Sequence, residues 1–524
     1  MLIFILLLSI VILWFVIKRH YTQWQRLGLA TDESGGIPFG CLYRVMKKEQ
    51  PLGLVFSNIY KSFNERLVGI YMLFKPALLL RDAHLIRQIM TSDFVSFHDR
   101  GVYVDEKYDP LSSHLFNLKG QTWRTLRAKL TPSFSSGKLK AMFETVDAVG
   151  DKMIQHLLQK KKLEDVGDDG CVVDVKDLAT TYAVDIIGSV IFGLDIDSFA
   201  NPNNDFHLMS DGLFKNPKSN VLQQIRHVMN FICPPIAQLL CRLGVNDPIT
   251  FSIRDVVERT IEFRQKNGVV RKDLLQLLIQ LRNTGKISDD NDDSLWRSET
   301  AAENLKSISI DMISANLLLF YIAGSETTAS TIAFTLYELA MYPEILSKVQ
   351  QEIDCCLQKH NLYSKGPLSY DVIKEMKYLD LCVMETMRKY PGLPFLNREC
   401  TNDFQIPDMN FTIKKGTAII VSLFGLHRDP EYFPNPMDFK PERFDHDVME
   451  YNPIAYMPFG EGPRHCIAQR MGVLNVKVAL VKILANFNVQ QLPRKEVEFR
   501  FHTTPVLLPK GGLSITIKKR YANV

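Results

Sequence analysis

The first seventeen residues constrain this chain more than any later stretch, because Met1 to Ile17 carries no charge and one polar side chain, Ser9. Lys18, Arg19 and His20 follow at once. As a helix this run rises about 26 Å, slightly less than the roughly 30 Å hydrocarbon core, and the basic side chains behind it can snorkel across the difference. A cleaved leader has its positive charge ahead of the apolar run and small residues after it. Here the order is reversed, and Tyr21 to Arg26 offers no cleavage site. Residues 1–20 are therefore expected to be an uncleaved transmembrane anchor. Since the basic flank follows the span, the positive-inside rule leaves the remainder on the cytosolic side.

The remainder reads as a large globular unit. Nine cysteines, an odd number without a CxxC pair, argue against a disulfide framework and fit a reducing compartment. The balance of 62 basic against 58 acidic residues, a net charge of +4, is too small to point to nucleic acid. Gly35, Gly36, Pro38 and Gly40 punctuate residues 21–40, which read as a linker ahead of a catalytic unit over 41–524.

Helix-period patterning dominates that unit, over Lys119–Leu130, Lys138–Lys161, Ile253–Leu281, Ile308–Tyr342, Glu344–Lys359, Tyr370–Tyr390 and Ile467–Phe487. Strand signals are few and short: Val68–Met72 with Ala77–Leu80, then Thr417–Ser422, Val497–Phe501 and Leu513–Lys518. The prediction is a mainly α fold with a small β-rich lobe. Thr284–Thr300, with four aspartates, reads as a solvated acidic loop. Val221–Val245 is apolar but broken by Pro234 and Pro235, and reads equally as a buried helix pair or as a second contact with a membrane surface.

Chemistry concentrates in Pro458–Ala468, PFGEGPRHCIA. Gly460, Gly462 and Pro463 hold a tight loop whose backbone can approach a flat ligand, and the loop leads into a helix. A thiolate placed there beside Arg464 has a lowered pKa and can ligate a metal; haem iron accepts one such cysteine, which favours cleavage of a bound O–O bond. Phe459 would cover Cys466. A single cysteine in a glycine-rich loop is more often an ordinary thiol, so the assignment depends on the other motifs of the chain.

Three sites supply that company. Glu385 and Arg388, at i and i+3 on an apolar helix, share one face and read as a buried pair. Trp123 and Arg127, at i and i+4, put an indole N–H and a guanidinium on one helix face, although a buried aromatic beside a solvated cation would look the same. Gly324, Ser325, Thr327 and Thr328 are poor interior residues for the long helix around them, and their hydroxyls can bond backward and bend it. An acid and an alcohol at such a kink are what proton delivery requires, which makes Glu326 and Thr327 the relay candidates.

FGEGPRHC, together with Glu385-Thr-Met-Arg388, Pro441-Glu-Arg443-Phe444 and Ala323-Gly-Ser-Glu326-Thr327-Thr328, resembles the signatures of the cytochrome P-450 family of haem-thiolate monooxygenases. The resemblance spans essentially the whole chain and is strongest to the microsomal group, in wording similar to its insect xenobiotic-metabolising branch. It implies the cytochrome P-450 fold behind an N-terminal anchor, and haem b held by the Cys466 thiolate. It also implies that Arg443 completes the Glu385–Arg388 pair to fix the loop of Cys466. Propionate partners would be Trp123, Arg127, Arg100, Arg398 and Arg464, with a substrate pocket around Phe116, Asn316, Phe320, Leu393, Phe395, Thr503 and Thr504.

By the same resemblance, one atom of O2 would enter a hydrophobic small molecule, a xenobiotic such as a plant toxin or insecticide, or an endogenous lipid or hormone. Electrons would come from NADPH-cytochrome P-450 reductase, with cytochrome b5 as a further candidate donor, at the endoplasmic reticulum membrane. The chain has no Rossmann fingerprint of its own. A haem-thiolate isomerase or dehydratase would share Cys466, Glu385 and Arg388 without needing Thr327, and a haem sensor would need no relay. Two departures from the family pattern stand out. Ala468 replaces the usual glycine two residues after the ligand, and the proline-rich hinge after the anchor is reduced to Pro38.

Overall fold

The computed structural model describes residues 2–159, 170–215, 220–246, 248–285, 287, 308–362, 366–492, 499–502 and 504–520. Helix α1, Leu2–Tyr21, follows directly from its composition, with a mean hydropathy of 2.1 over Ile3–Tyr21 and none of that window buried. An apolar helix exposed on every side is matched to lipid rather than water.

The catalytic unit is built on α2 (Gly120–Leu130), α3 (Ser136–Leu158), α4 (Val175–Ile186), α5 (Val221–Ile232), α6 (Pro234–Arg242), α7 (Ile310–Met341), α8 (Lys377–Lys389) and α9 (Gln469–Asn486). Strands β1 (Leu67–Met72), β2 (Lys75–Leu80), β3 (Cys171–Asp174), β4 (Phe395–Glu399), β5 (Ala418–Ser422), β6 (Phe487–Gln490) and β7 (Ser514–Lys519) form two sheets. One has the order β1-β2-β5-β4, antiparallel except where β2 runs parallel to β5; the other has the order β3-β7-β6. Both faces of β1 and β5 are covered, which explains why they read as continuous apolar runs.

Helix α7 runs through the middle of the helical core, packed against α4, α8 and α9. A second core lies over the four-stranded sheet. The Cys466 loop lies between them: Phe459, Ile467 and Ala468 pack on the helical core, and Met457 belongs to the sheet-side core.

Several sequence expectations change. The linker over 21–40 is packed along β1: Trp24 is buried, Thr31 bridges Gly69, and Gly40 bridges Met72. Ile253–Leu281 is two helices, Pro248–Asn267 and Leu274–Thr284. Gly268, at φ +64, ends the first, and Asp273 starts the second by accepting from Gln276 N–H at 2.8 Å while it pairs with Arg264 at 2.6 Å. Tyr370–Tyr390 breaks at Met376, where the Glu352 carboxylate accepts from the N–H groups of Tyr378 and Leu379 at 2.8 and 2.9 Å.

Strand β4 has no counterpart among the expected strands. The strand expected at Val497–Phe501 lies partly outside the described residues, and within its described part Phe501 makes an isolated bridge to Pro509. Most of the acidic stretch Thr284–Thr300 also lies outside the described residues. The α5–α6 pair is partly buried: Ile232, Ala237 and Cys241 are covered, whereas Val221, Leu222, Ile225, Val228 and Leu239 are exposed.

Candidate cofactor site

Two glycines shape the loop that presents Cys466. Gly460 (φ +74) and Gly462 (φ +69) both sit in the left-handed region, and a Cβ on Gly462 would lie 1.8 Å from the Met90 carbonyl oxygen. The N–H groups of Gly460, His465 and Cys466 donate to the carbonyls of Met457, Gly462 and Phe459, at 2.9, 3.0 and 2.8 Å. Phe459 therefore braces the cysteine through its backbone as well as lying near it in sequence.

The side chain of Cys466 is exposed, yet burial raises the pKa of its thiol. Solvent reaches the thiol, and the protein around it is dense enough to disfavour the thiolate. The Ala468 N–H and the charges of Arg127 and Arg100 act in the opposite direction and favour the thiolate. Ala468 occupies the N-cap of α9 at φ −99, a conformation open to any residue, so the methyl is accommodated without backbone strain.

Around the thiol lies a group of arginines whose charge the protein neutralises only in part. Arg398 is 1% exposed, on β4, and donates to the Asn397 carbonyl at 2.8 Å. Arg464 donates to the carbonyls of Phe116 and Leu118 at 3.2 and 2.6 Å, and its guanidinium lies 4.2 Å from the Trp123 ring. Arg100 stacks 3.9 Å from the Phe116 ring. Arg127 donates to the His465 carbonyl at 2.9 Å.

Arg100, Arg398 and Arg464 each keep a buried Nε without a hydrogen-bond partner. Asp99 approaches Arg464 at 3.7 Å, while Arg100 and Arg398 have no ion pair among the described residues. Burial depresses Arg398 to about 10; burial and then the charge of Arg398 depress Arg464 to about 9. Burial and then the charges of Arg398 and Arg464 push Arg100 well below its usual value. Buried, mutually repelling and incompletely bonded guanidiniums fit an anionic ligand, and the paired carboxylates of haem match their fork geometry. A lone thiol and this cluster within one loop system fit haem on both counts.

The Glu385 group is of the opposite kind. Glu385 Oε2 and Oε1 accept from Arg388 at 2.7 and 2.8 Å, and Oε1 also accepts from Arg443 at 3.0 Å and from the Lys440 N–H at 2.9 Å. All three side chains are at most 1% exposed, and the arginines go on to bond the carbonyls of His427, Asp438, Pro434 and Asn435.

Helix α7 has an open stripe at Leu319, Ile322, Ala323, Gly324 and Thr327, with Ala323 the most exposed, while the neighbouring positions are buried. A Cβ on Gly324 would press on the tip of the Ile187 side chain, 2.6 Å from Cδ1, a contact that a rotamer change can relieve. Thr327 donates to the Ala323 carbonyl at 2.6 Å, and α7 continues as an unbroken α-helix through the expected kink.

Glu326 does not share that open stripe. It is 1% exposed and accepts from Lys176 on α4 at 2.8 Å, leaving Oε1 without a partner. The expected acid and alcohol are thus adjacent in sequence but turned to different surroundings, because consecutive helical residues point about 100° apart.

The pocket candidates divide. Phe116 sits at the arginine cluster, and Phe320 packs edge-on against Phe134 at 5.4 Å. Leu393 is half-buried, and Thr504 donates to the Val506 carbonyl at 2.8 Å. Thr503 lies outside the described residues. Two are corrected. The Phe395 ring packs between Phe56 and Phe231, at 5.1 and 6.2 Å, because strand alternation turns it to the face opposite Arg398. The Asn316 amide is occupied by Leu115 N–H and the Met312 carbonyl, at 3.0 and 2.8 Å.

Sequence reasoning missed Asp99, Asn397 and Lys176. Asn397 donates to the Arg100 carbonyl at 2.6 Å, and Asp99 accepts from Gly120 N–H at 2.9 Å. None of the three sits in a motif, and only the alternation of β4 could have marked Asn397.

The family model described as Cytochrome P-450 matches residues 34–517. The chain is similar to cytochrome P-450 6d1 of Musca domestica, 63% identical over 97% of this chain and 98% of that protein. It is also similar to cytochrome P-450 6d3 of Musca domestica, 61% identical over 100% of both. Probable cytochrome P-450 6d2 of Drosophila melanogaster is 58% identical over 98% of this chain and 99% of its own length.

Proposed function

The chain belongs to the cytochrome P-450 family, and from that premise we propose that Cys466 is the thiolate that holds its haem. As a family member it is a monooxygenase that takes electrons from a redox partner and acts on hydrophobic molecules. When bound, haem supplies the activation of O2, inserting one oxygen atom into substrate and releasing the other as water at the expense of two electrons and two protons.

The rest falls to side chains. Cys466 donates electron density from a loop clamped by Gly462. Arg100, Arg127, Arg398 and Arg464, with Trp123 beneath Arg464, bind the propionates. Glu385, Arg388 and Arg443 tie α8 to the segment leading into that loop and so hold the thiol in register. Thr327 positions water on the open stripe of α7. Glu326, the acid candidate, faces away from the stripe with one oxygen held by Lys176, so its part in the relay runs through its unpartnered oxygen. Leu393, Phe320 and the open residues of α7 make the walls apolar, which suits xenobiotics or endogenous lipids.

NADPH-cytochrome P-450 reductase, with cytochrome b5 as a second donor, is the partner this reading names. In this reading the enzyme sits in the endoplasmic reticulum membrane with residues 41–524 in the cytosol, an orientation that the apolar helix and its basic flank support. The observation that carries the assignment is the thiol at the focus of an arginine cluster that Asp99 compensates only in part. It is tested by the reduced carbon monoxide spectrum. The long-wavelength thiolate-type Soret band should disappear in Cys466→Ala and move to the imidazole type in Cys466→His. Its persistence in Cys466→Ala would move the ligand to another cysteine.

A further inference from the structure

We infer that a cavity outside the Cys466 site, bounded by α3, α4 and the helix Asp205–Ser210, binds a flat, ring-sized organic cation that carries several N–H donors. The cavity holds about 180 Å³ and shares no residue with the thiol loop or the arginine cluster, so the inference stands apart from the haem reading. An apolar cavity of about 150 Å³ is enough to take up benzene, and one substituted six-membered ring therefore fits.

The walls are pinned by bonds to backbone. Asp174, the N-cap of α4, accepts from the N–H groups of Lys176, Asp177 and Leu513 at 2.9, 3.3 and 3.0 Å. In the loop after α4 the Ser198 N–H donates to both oxygens of buried Asp185, at 3.1 and 2.9 Å. Asn204 donates to the Ser198 hydroxyl at 2.8 Å and caps the next helix by accepting from the His207 N–H at 3.0 Å. Such a space is formed before its ligand arrives.

The lining selects the ligand. Asp174 and Asp177 bring two carboxylates, and no lysine or arginine lines the cavity. Thr181 commits its hydroxyl hydrogen to the Asp177 carbonyl at 3.1 Å, so toward a ligand it can only accept. His207 is 8% exposed, and its Nδ1 has no hydrogen-bond partner. A buried ring nitrogen left unpaired costs free energy unless the cavity's occupant answers it. As the Nε2–H tautomer, His207 adds one more acceptor.

These acceptors surround the space and do not meet at a point. Among the described residues no three carboxylate, imidazole or thiol groups could hold a metal ion. A point charge is the wrong shape for such a site, whereas N–H donors spread over a plane reach several of its acceptors, and an amidinium fork matches a carboxylate. The His156 and Phe199 rings, 5.2 Å apart, with Leu178 and Pro202, supply apolar faces for the ring of the ligand.

The test uses the full-length holoenzyme with its iron blocked by a tightly bound azole, so that binding at haem is not read. Benzamidine is the probe, titrated by calorimetry. One saturable site is expected, with a dissociation constant of about 1 mM or below, as suits so small a ligand. Benzamide has nearly the same shape without the charge and should bind at least about tenfold more weakly, while Asp177→Asn and His207→Leu should each weaken benzamidine about 10- to 100-fold.

Asp177 is exposed on α4, so its variant keeps the test decisive if His207→Leu fails to fold. No saturable binding up to about 10 mM would leave water as the occupant and overturn the site. Benzamide bound as tightly as benzamidine, or unchanged affinity in Asp177→Asn or in folded His207→Leu, would overturn the assignment of a cation to this cavity.

Discussion

Two groups of buried arginines lie within one domain and are solved oppositely. Around Glu385 every guanidinium is paired or bonded to a carbonyl, and the carboxylate is fully used. Around Cys466 three guanidiniums are left with orphaned Nε atoms and depressed pKa values. A charge satisfied by its own chain stabilises the architecture. One left unsatisfied marks where the chain depends on something it does not itself contain. The contrast sorts the arginines without any appeal to motif, and it supports reading the second group as the cofactor-binding one.

The largest test of that contrast is Glu385→Ala. Removing the shared carboxylate strands two buried cations, a change worth about 3 to 5 kcal/mol, and should abolish haem-loaded, folded protein. Normal haem content and an unchanged thermal midpoint would erase the distinction. Arg398→Leu should do the reverse. Cofactor-free stability should hold or rise as repulsion is relieved, while haem transfers to an apo-globin acceptor about 10 to 100 times faster, consistent with about 1.5 to 3 kcal/mol for a charge-assisted bond. A drop in apo stability with unaltered haem retention would place Arg398 with the structural group.

A smaller effect lies in acid. Burial, and then the charge of Arg388, push His427 down to about 3, and its ring accepts from the Met457 N–H at 3.2 Å. The folded protein keeps this imidazole neutral while the unfolded chain takes up a proton below about 6.5, so stability falls as pH drops through that value toward 3. The slope is at most about 1.4 kcal/mol per pH unit from this group, and His427→Gln should flatten it in denaturant titrations at about pH 7, 6 and 5. An identical slope in that variant would remove His427 from the acid response.

Smallest is Thr327→Val, which touches neither arginine group. The spectrum should stay as it is, while hydrogen peroxide per NADPH rises about two- to fivefold, under about 1 kcal/mol of selectivity. Coupling as tight as in the native enzyme would take the hydroxyl out of the mechanism.

What can be read from the sequence follows local physics. The anchor, α7 and the strands β1, β2 and β5 are periodic or continuous enough to be read directly. The spacing of Glu385 and Arg388 is by itself enough to announce a shared face. What escapes depends on contacts distant in sequence. Glu352 caps α8 from another helix, so the break at Met376 leaves no local trace. Trp24 lies flat on Gly69, turning an apparent linker into part of the sheet lobe. The gap between Asn267 and Leu274, by contrast, is legible: Gly268 and Asp273 are stop and start signals that helix periodicity overrode. At the site, residue types identify what could bind, whereas the pairing of Glu326 with Lys176 requires the packing of α4 on α7.

The Thr327 bond carries one more consequence. A hydroxyl has a single hydrogen, and here it is committed to the Ala323 carbonyl at 2.6 Å. Only lone pairs are left to face the open stripe. A water bonded to Oγ1 in this arrangement would donate to it, leaving its own oxygen and second hydrogen for other partners. The helix backbone, by claiming one hydrogen, makes Thr327 an acceptor toward whatever enters the open stripe.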